Sequence, residues 1–81
     1  MSRGTRRIVT DAHFGLTDIE VDIVRALCEG RTVAGAGAVV GLSEHTVRDY
    51  IKTAFRKMNV YSQVTMAIKA ERAGLLEGVE P

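Results

Sequence analysis

Four serine or threonine residues, each with a glycine or asparagine about one helix length further along the chain, divide most of this sequence into segments. Serine and threonine cap helix N-termini because the side-chain oxygen accepts a hydrogen bond from a free backbone N–H. Glycine and asparagine end helices because they tolerate the left-handed conformation. The pairs are Thr17 with Gly30, Thr32 with Gly41, Ser43 with Asn59, and Ser62 with Gly74. This punctuation predicts an all-α fold with four helices, over about residues 18–29, 33–40, 44–58 and 63–73.

The length and composition set limits on the organisation and chemistry of the chain. Its 81 residues suit one domain, and we expect a flexible basic arm over 1–15, the helical domain over 16–76 and a short tail over 77–81. The single Cys28 excludes an internal disulfide and is expected to be a small packing residue, while His13 and His45 stand too far apart for a metal site. We expect neither a cofactor nor enzymatic activity. No apolar run predicts a signal peptide or a membrane span, so a cytoplasmic location is expected.

The first predicted helix has the clearest N-terminal signal. Thr17 and Glu20 have the spacing of a capping box, in which each side chain binds a backbone N–H of the other residue. Leu16 and Val21 occupy the two positions of a hydrophobic staple around that cap. The apolar residues that follow at helical spacing are Ile19, Ile23 and Leu27.

The segment VAGAGAVVG at 33–41 raises the question of a nucleotide site. Its glycines, Gly35, Gly37 and Gly41, resemble a phosphate-binding loop. A dinucleotide fingerprint, however, needs a strand before it and a βαβ unit around it. Here a capped helix precedes the glycines, and the spacing is GxGxxxG. We therefore predict a short second helix, with Thr32 as its N-cap and Gly41 as its end, whose glycines lie where two helices cross.

The third and fourth helices each show two distinct sides. Turned at about 100° per residue, the third helix gathers an apolar arc (Val47, Ile51, Ala54, Phe55, Met58) opposite a polar, basic face (His45, Arg48, Asp49, Lys52, Arg56). The fourth carries one stripe with Val64 and Ile68 and another with Met66, Ala70 and Ala73. A domain of this size has one core to fill, so one stripe of the fourth helix can serve the core and the other is available to a partner.

These residues resemble a known family. The runs LTDIEVDIVRALCEG, GLSEHTVRDYIKTAFRKMNV and YSQVTMAIKAERAGLL are similar to the LuxR/FixJ-type DNA-binding domain, typified by the regulator GerE. The resemblance covers about 16–76 and is most specific from Ser43 to Val60. It implies a four-helix helix-turn-helix domain that regulates transcription, with its third helix, 44–58, in the major groove of promoter DNA and its last helix forming a homodimer. Family members usually carry a further domain, so the chain is similar either to stand-alone members, which its Met1 start favours, or to an excised C-terminal domain.

The resemblance gives the polar residues expected roles in DNA binding. Arg48 and Lys52 are expected at guanine edges, since arginine and lysine recognise guanine O6 and N7. Asp49 either accepts from cytosine or pairs with a nearby cation, and His45 either contacts a base or is solvated. The residues expected at phosphates are Thr32, Ser43, Thr46, Tyr50, Arg56 and Lys57, with the Tyr50 ring half-buried. The dimer is expected through Val64 and Ile68, while Met66 and Ala70 face inward.

The chain departs from the family pattern at several positions, and its near-neutral charge leaves other functions open. The family usually has Ile-Ala where this chain has Ala36 and Gly37, a small residue at Met66, glycine at Asn59 and arginine at Gln63. The net charge is only +1, which is low for a DNA-binding domain. The alternatives are a protein-interaction module that acts on RNA polymerase or on another regulator, and a relative of sigma factor region 4.

Overall fold

A computed structural model of the chain describes residues 14–76. Over that range the chain forms four α-helices and no strand: α1 (Asp18–Cys28), α2 (Val33–Val40), α3 (Glu44–Met58) and α4 (Gln63–Arg72). The predicted all-α fold is confirmed. The predicted bounds of α2 and α3 are confirmed, and α1 and α4 each end one residue earlier than predicted. The arm before residue 14 and the tail 77–81 lie outside the described residues.

Each helix begins at the predicted hydroxyl. Thr17 and Glu20 form the capping box of α1, with Glu20 N–H donating to Thr17 Oγ1 at 3.2 Å and Thr17 N–H donating to Glu20 Oε1 at 2.9 Å. Thr32, Ser43 and Ser62 accept in the same way at the starts of α2, α3 and α4. The local cap chemistry therefore accounts for where every helix starts.

The glycine or asparagine predicted to end each helix has positive φ in all four cases, and the ends of α2 and α3 show the geometry. Gly41 closes α2 with φ 76°, and Asn59 closes α3 with φ 60°. Asparagine is one of the few side-chain-bearing residues that tolerate this region. Gly41 N–H and Leu42 N–H both donate to Gly37 O, at 2.7 and 2.9 Å, which turns the chain sharply from α2 into α3.

The core lies between α1 and the other three helices, each of which packs against it. Its members come from every helix and from the segment after α4, and the most completely buried large side chains are Ile23, Val24, Val47, Met58, Met66 and Leu75. Leu16 and Val21 are buried as well, as the staple predicts. Ile19 was grouped with Ile23 and Leu27, but it is 38% exposed, because it lies on the outer side of the first turn of α1.

The glycines of α2 differ in what surrounds them. A Cβ atom on Gly37 would lie 2.5 Å from the carbonyl oxygen of Leu42 and 3.4 Å from a methyl of Val47. Gly37 therefore lets the backbone of α2 approach the start of α3, and the predicted helix crossing is confirmed there. Gly35 has no such role, since its Cβ would meet only Arg31 and Thr32 at ordinary contact distances.

Candidate nucleic-acid interface

The helix α3 presents its polar residues outward because its apolar residues are held in the core. Val47, Ala54 and Met58 are buried, and Ile51 and Phe55 are partly buried against the core. The five residues predicted on the opposite face are all exposed: His45, Arg48, Asp49, Lys52 and Arg56. The predicted division of α3 into two faces is confirmed, and the exposed five are called the outer face below.

The charged residues of the outer face form only weak ion pairs with other residues of α3. Arg48 lies 3.9 Å from Glu44, and His45 lies 4.0 Å from Asp49, each one helical turn apart on exposed side chains. Exposed pairs of this kind contribute about 0–1 kcal/mol to stability, so a stronger partner can displace them. Within residues 14–76, Lys52 and Arg56 form no ion pair. The cations of this face are therefore available to a polyanion.

The turn at Gly41 joins the C-terminus of α2 to the N-terminus of α3, and the N-termini of both helices carry exposed hydroxyl caps. Ser43 Oγ accepts from Thr46 N–H at 3.2 Å and donates to Thr46 Oγ1 at 3.1 Å, and both groups are at or near the surface. Thr32 Oγ1, exposed at the start of α2, accepts from Gly35 N–H at 3.0 Å. Each cap uses one of the free amides of its first turn and leaves others open. Free amides at a helix N-terminus are suited to phosphate.

Tyr50 lies between the two faces of α3. Its ring is partly buried and packs against the core, which confirms the half-buried position predicted for it. It lines a shallow surface depression with Glu20, Thr46, Asp49 and Thr53. Tyr50 therefore borders the outer face at Asp49, and the phosphate contact expected of its hydroxyl stays a prediction.

Lys57 is placed differently from its neighbour Arg56. Its Nζ donates to Glu20 Oε1 at 2.8 Å and to the Gly15 carbonyl at 3.3 Å. The Glu20 side chain is only 4% exposed and that of Lys57 is 32% exposed. The sequence predicted a phosphate contact for Lys57 and did not predict this pair, which joins residues 37 positions apart. The available sequence signal was that Glu20 lies at helical spacing from the apolar residues Val24 and Leu27.

Two opposing effects act on the Glu20 carboxyl. Burial raises its pKa, since removal from water disfavours the charged form. Hydrogen bonds from Lys57 and Thr17 outweigh that effect and hold the pKa of Glu20 below its ordinary value. Glu20 is thus ionised at neutral pH, and it is the only buried charged residue among those that the structure describes.

The outer side of α4 carries exposed apolar residues. Val64 is 69% exposed and Ile68 46% exposed, while Met66 and Ala70 on the other side are fully buried. The predicted inward stripe is confirmed. Tyr61, 91% exposed, extends the apolar surface beyond the helix start, and a groove of about 550 Å³ runs beside it, lined by Phe14, Val60, Tyr61, Ile68 and Lys69 among others. No sequence pattern predicted a role for Phe14 or Tyr61.

Cys28 has the surroundings of a packing residue. Cys28 is half-buried and packs against the core, and burial together with nearby Glu29 raises the pKa of its thiol. Such a thiol is a weak nucleophile.

Over 14–76, no three metal-ligating side chains come together, and none of the four helices combines the length and apolar character needed to cross a bilayer.

Comparison with known proteins agrees with this geometry. Residues 15–70 match the family described as GerE, bacterial regulatory proteins of the luxR family. The chain is 33% identical over 75 residues to the transcriptional activator protein AnoR of Acinetobacter nosocomialis, an alignment that covers 86% of this chain and 32% of AnoR. It is 36% identical over 53 residues to the nitrate/nitrite response regulator protein NarP of Escherichia coli strain K12, covering 65% of this chain and 25% of NarP.

These alignments span about a third of one relative and a quarter of the other. No solved structure matches the chain. The family match covers more than half of the sequence and includes all of α1, α2 and α3. The helix order, the tight turn between α2 and α3 and the sequence match agree, and the chain belongs to the LuxR family of bacterial regulatory proteins.

Proposed function

We propose that this domain binds duplex DNA sequence-specifically and regulates transcription, with α3 in the major groove. The observation that carries the proposal is the outer face of α3, which keeps exposed cations on a helix fixed to the core by its other side. A helix of this kind after a tight turn is the recognition element of a helix-turn-helix. Family membership and the role of AnoR as a transcriptional activator support the same function. Such a protein acts in the cytoplasm, on the nucleoid.

The outer face provides two kinds of contact. Arg48 lies in the first half of α3, from which a recognition helix reaches base edges, and Lys52 lies about one turn further along the same face. Both can donate to guanine O6 and N7. His45 and Asp49 lie beside them, and their weak mutual pair can open so that Asp49 accepts from cytosine N4. Arg56, two turns further along α3 from Asp49, is assigned to phosphate.

Phosphate contacts surround this base-reading region. The residues assigned to phosphate have polar groups that are exposed or partly exposed: Ser43 and Thr46 at the start of α3, Thr32 at the start of α2, and Tyr50. Contacts of this type set the register of a protein on DNA without reading sequence. Phosphate contact by Lys57 would have to compete with its ion pair to Glu20.

We further propose that two copies bind together through α4. Val64 and Ile68 leave an exposed apolar stripe on a helix whose other side is buried. Pairing these stripes in a homodimer removes that apolar surface from water and places two copies of α3 on one DNA. The site is then expected to be a two-fold or direct repeat.

A duplex selected by the wild-type protein from a random pool provides the test. Lys52→Ala or Arg48→Ala should weaken binding by about 1–3 kcal/mol and relax base preference at one position. Arg56→Ala is the matched control on the same helix face, and it should weaken binding to all sequences evenly and lower the salt slope by about 1. Fluorescence anisotropy against a panel of single-base variants of the selected duplex measures both effects.

Two results would contradict the proposal. Absence of duplex binding at low salt, with native circular dichroism, would remove the DNA-binding function. Equal, sequence-independent losses from all three variants would remove the assignment of Arg48 and Lys52 to bases.

A second candidate function follows from the small net charge of +1 together with the exposed apolar stripe of α4. In that case the domain binds RNA polymerase or another regulator, and DNA binding is secondary. A salt titration separates the two, because phosphate neutralisation makes DNA affinity fall linearly with log salt, whereas apolar association through α4 lacks that dependence.

A further inference from the structure

The C-terminal end of α3 contacts both α1 and the short segment that precedes α1. Lys57, in the last turn of α3, bonds both to Glu20 in the first turn of α1 and to the carbonyl of Gly15, before α1. The same carboxylate oxygen, Glu20 Oε1, also accepts from Thr17 N–H in the capping box. One ammonium group therefore connects α3, the N-terminus of α1 and the segment that leads into it.

The segment before α1 has a conformation that this contact helps to fix. Phe14 and Gly15 both have positive φ, 59° and 75°, and a side-chain-bearing residue such as Phe14 adopts that region only at a cost. Lys57 holds the Gly15 carbonyl from one side, and Lys69 Nζ of α4 lies 6.0 Å from the centre of the Phe14 ring. Two cations from two helices thus restrain this two-residue turn.

The burial of Glu20 decides which partner Lys57 keeps. If Lys57 turned to a DNA phosphate, it would leave an ionised carboxylate almost wholly out of water without its cation, and an unpaired buried charge is strongly destabilising. A phosphate contact at an exposed site provides much less in return. Arg56, exposed and unpaired within the described residues, has no such constraint.

We propose that Lys57 is a positioning residue, which fixes the last turn of α3 against the N-terminus of α1 through Glu20 and Gly15, and does not contact DNA. The proposal rests on the proposed function in one respect only, since α3 is the helix whose position matters for DNA binding. The intramolecular part, the coupling of Lys57 to Glu20 and Gly15, can be tested without DNA.

The sharpest variant is Glu20→Gln, because electrostatics and positioning predict opposite results for it. Removing a negative charge should strengthen binding to DNA if Coulomb attraction alone matters. If Lys57 acts by position, Glu20→Gln should instead weaken binding to the selected duplex several-fold, since the pair that orients α3 loses its charge. Lys57→Met should weaken binding at every salt concentration with an unchanged salt slope, and Lys57→Arg should restore most of the affinity. Arg56→Met is the matched control, and it should reduce the slope by about 1.

The coupling is measured by thermal unfolding of Glu20→Gln, Lys57→Met and the double variant, and by the amide resonance of Gly15. We expect the two single changes to lower Tm, the double change to lower it by less than their sum, and the Gly15 resonance to shift in Lys57→Met and Lys57→Arg but not in Arg56→Met. If Lys57→Met does not fold, Glu20→Gln alone decides the proposal. Additive Tm changes with a stationary Gly15 resonance would overturn it, as would a reduced salt slope for Lys57→Met or tighter binding by Glu20→Gln. Loss of all DNA binding in the wild type would instead refute the proposed function and leave the coupling measurements to decide this one.

Discussion

Gly37 offers a test of whether packing or helix propensity controls the short helix α2. Replacing an interior glycine with alanine stabilises a helix by about 1 kcal/mol, and Gly35→Ala should realise most of that gain, since the added methyl meets only Arg31 and Thr32 at 3.4 Å. Gly37→Ala has the same propensity gain. Its methyl, however, would lie 2.5 Å from the carbonyl oxygen of Leu42, a backbone atom that moves only if α2 and α3 separate.

The pair of variants isolates the cost of this close approach. The propensity terms cancel between them, so the difference in unfolding free energy is the packing cost, about 1–3 kcal/mol for an overpacked core site. For a domain of this size that corresponds to a Tm difference of about 4–8 °C per kcal/mol. Urea unfolding followed by circular dichroism at 222 nm, the usual helix band, measures both variants. Equal stabilisation by Gly35→Ala and Gly37→Ala would refute the inferred role of Gly37 at the helix crossing.

Three further predictions concern the helices around the site. Ile68→Asp should leave a folded monomer that binds a full DNA site poorly, whereas Met66→Asp, on the buried side of α4, should unfold the domain. Analytical ultracentrifugation and circular dichroism compare the two, and the reverse outcome would mean that the faces have been exchanged. Ser43→Ala should destabilise the domain by about 1 kcal/mol through loss of the α3 cap, and Ser43→Gly by only a few tenths; equal losses in urea unfolding would argue against capping. Because the folded-state pKa of Glu20 is lowered, its contribution is fully present above its ordinary value near 4.5 and is lost as pH falls through the lower folded value. The stability difference between wild type and Glu20→Gln should therefore shrink on acidification in that window, and a difference that is constant with pH would contradict the ion pair.

The parts of this fold that the sequence predicts are those that depend on local chemistry. Thr17, Thr32, Ser43 and Ser62 cap helices through residues three positions away, so the starts of all four helices could be derived from short segments. The same holds for Asn59, whose tolerance of positive φ ends α3. The faces of α3 and α4 followed from periodicity, since a helix with one buried side needs only a period of about 3.6 to show it.

Features that depend on how helices cross were predicted only in part. Gly37 was expected at a crossing because two glycines in a short helix need a packing reason, yet nothing in the sequence distinguishes Gly37 from Gly35. Ile19 has the spacing of a core residue, but the N-terminal turn of α1 is not covered by another helix on that side. Only the arrangement of α2, α3 and α4 around α1 decides these cases.

The adjacent cations Arg56 and Lys57 show why a basic run cannot be counted as one surface. Consecutive residues of a helix point about 100° apart. When Arg56 faces solvent, Lys57 therefore points toward α1, where it forms an ion pair with Glu20. From sequence, both residues counted toward phosphate binding, because the acid that pairs with Lys57 lies 37 positions earlier and no local pattern links them. Under the proposed function, the cations of α3 assigned to DNA are then Arg48, Lys52 and Arg56. With one fewer cation than the sequence suggests, the salt slope of DNA binding should be shallower by about 0.9 per domain.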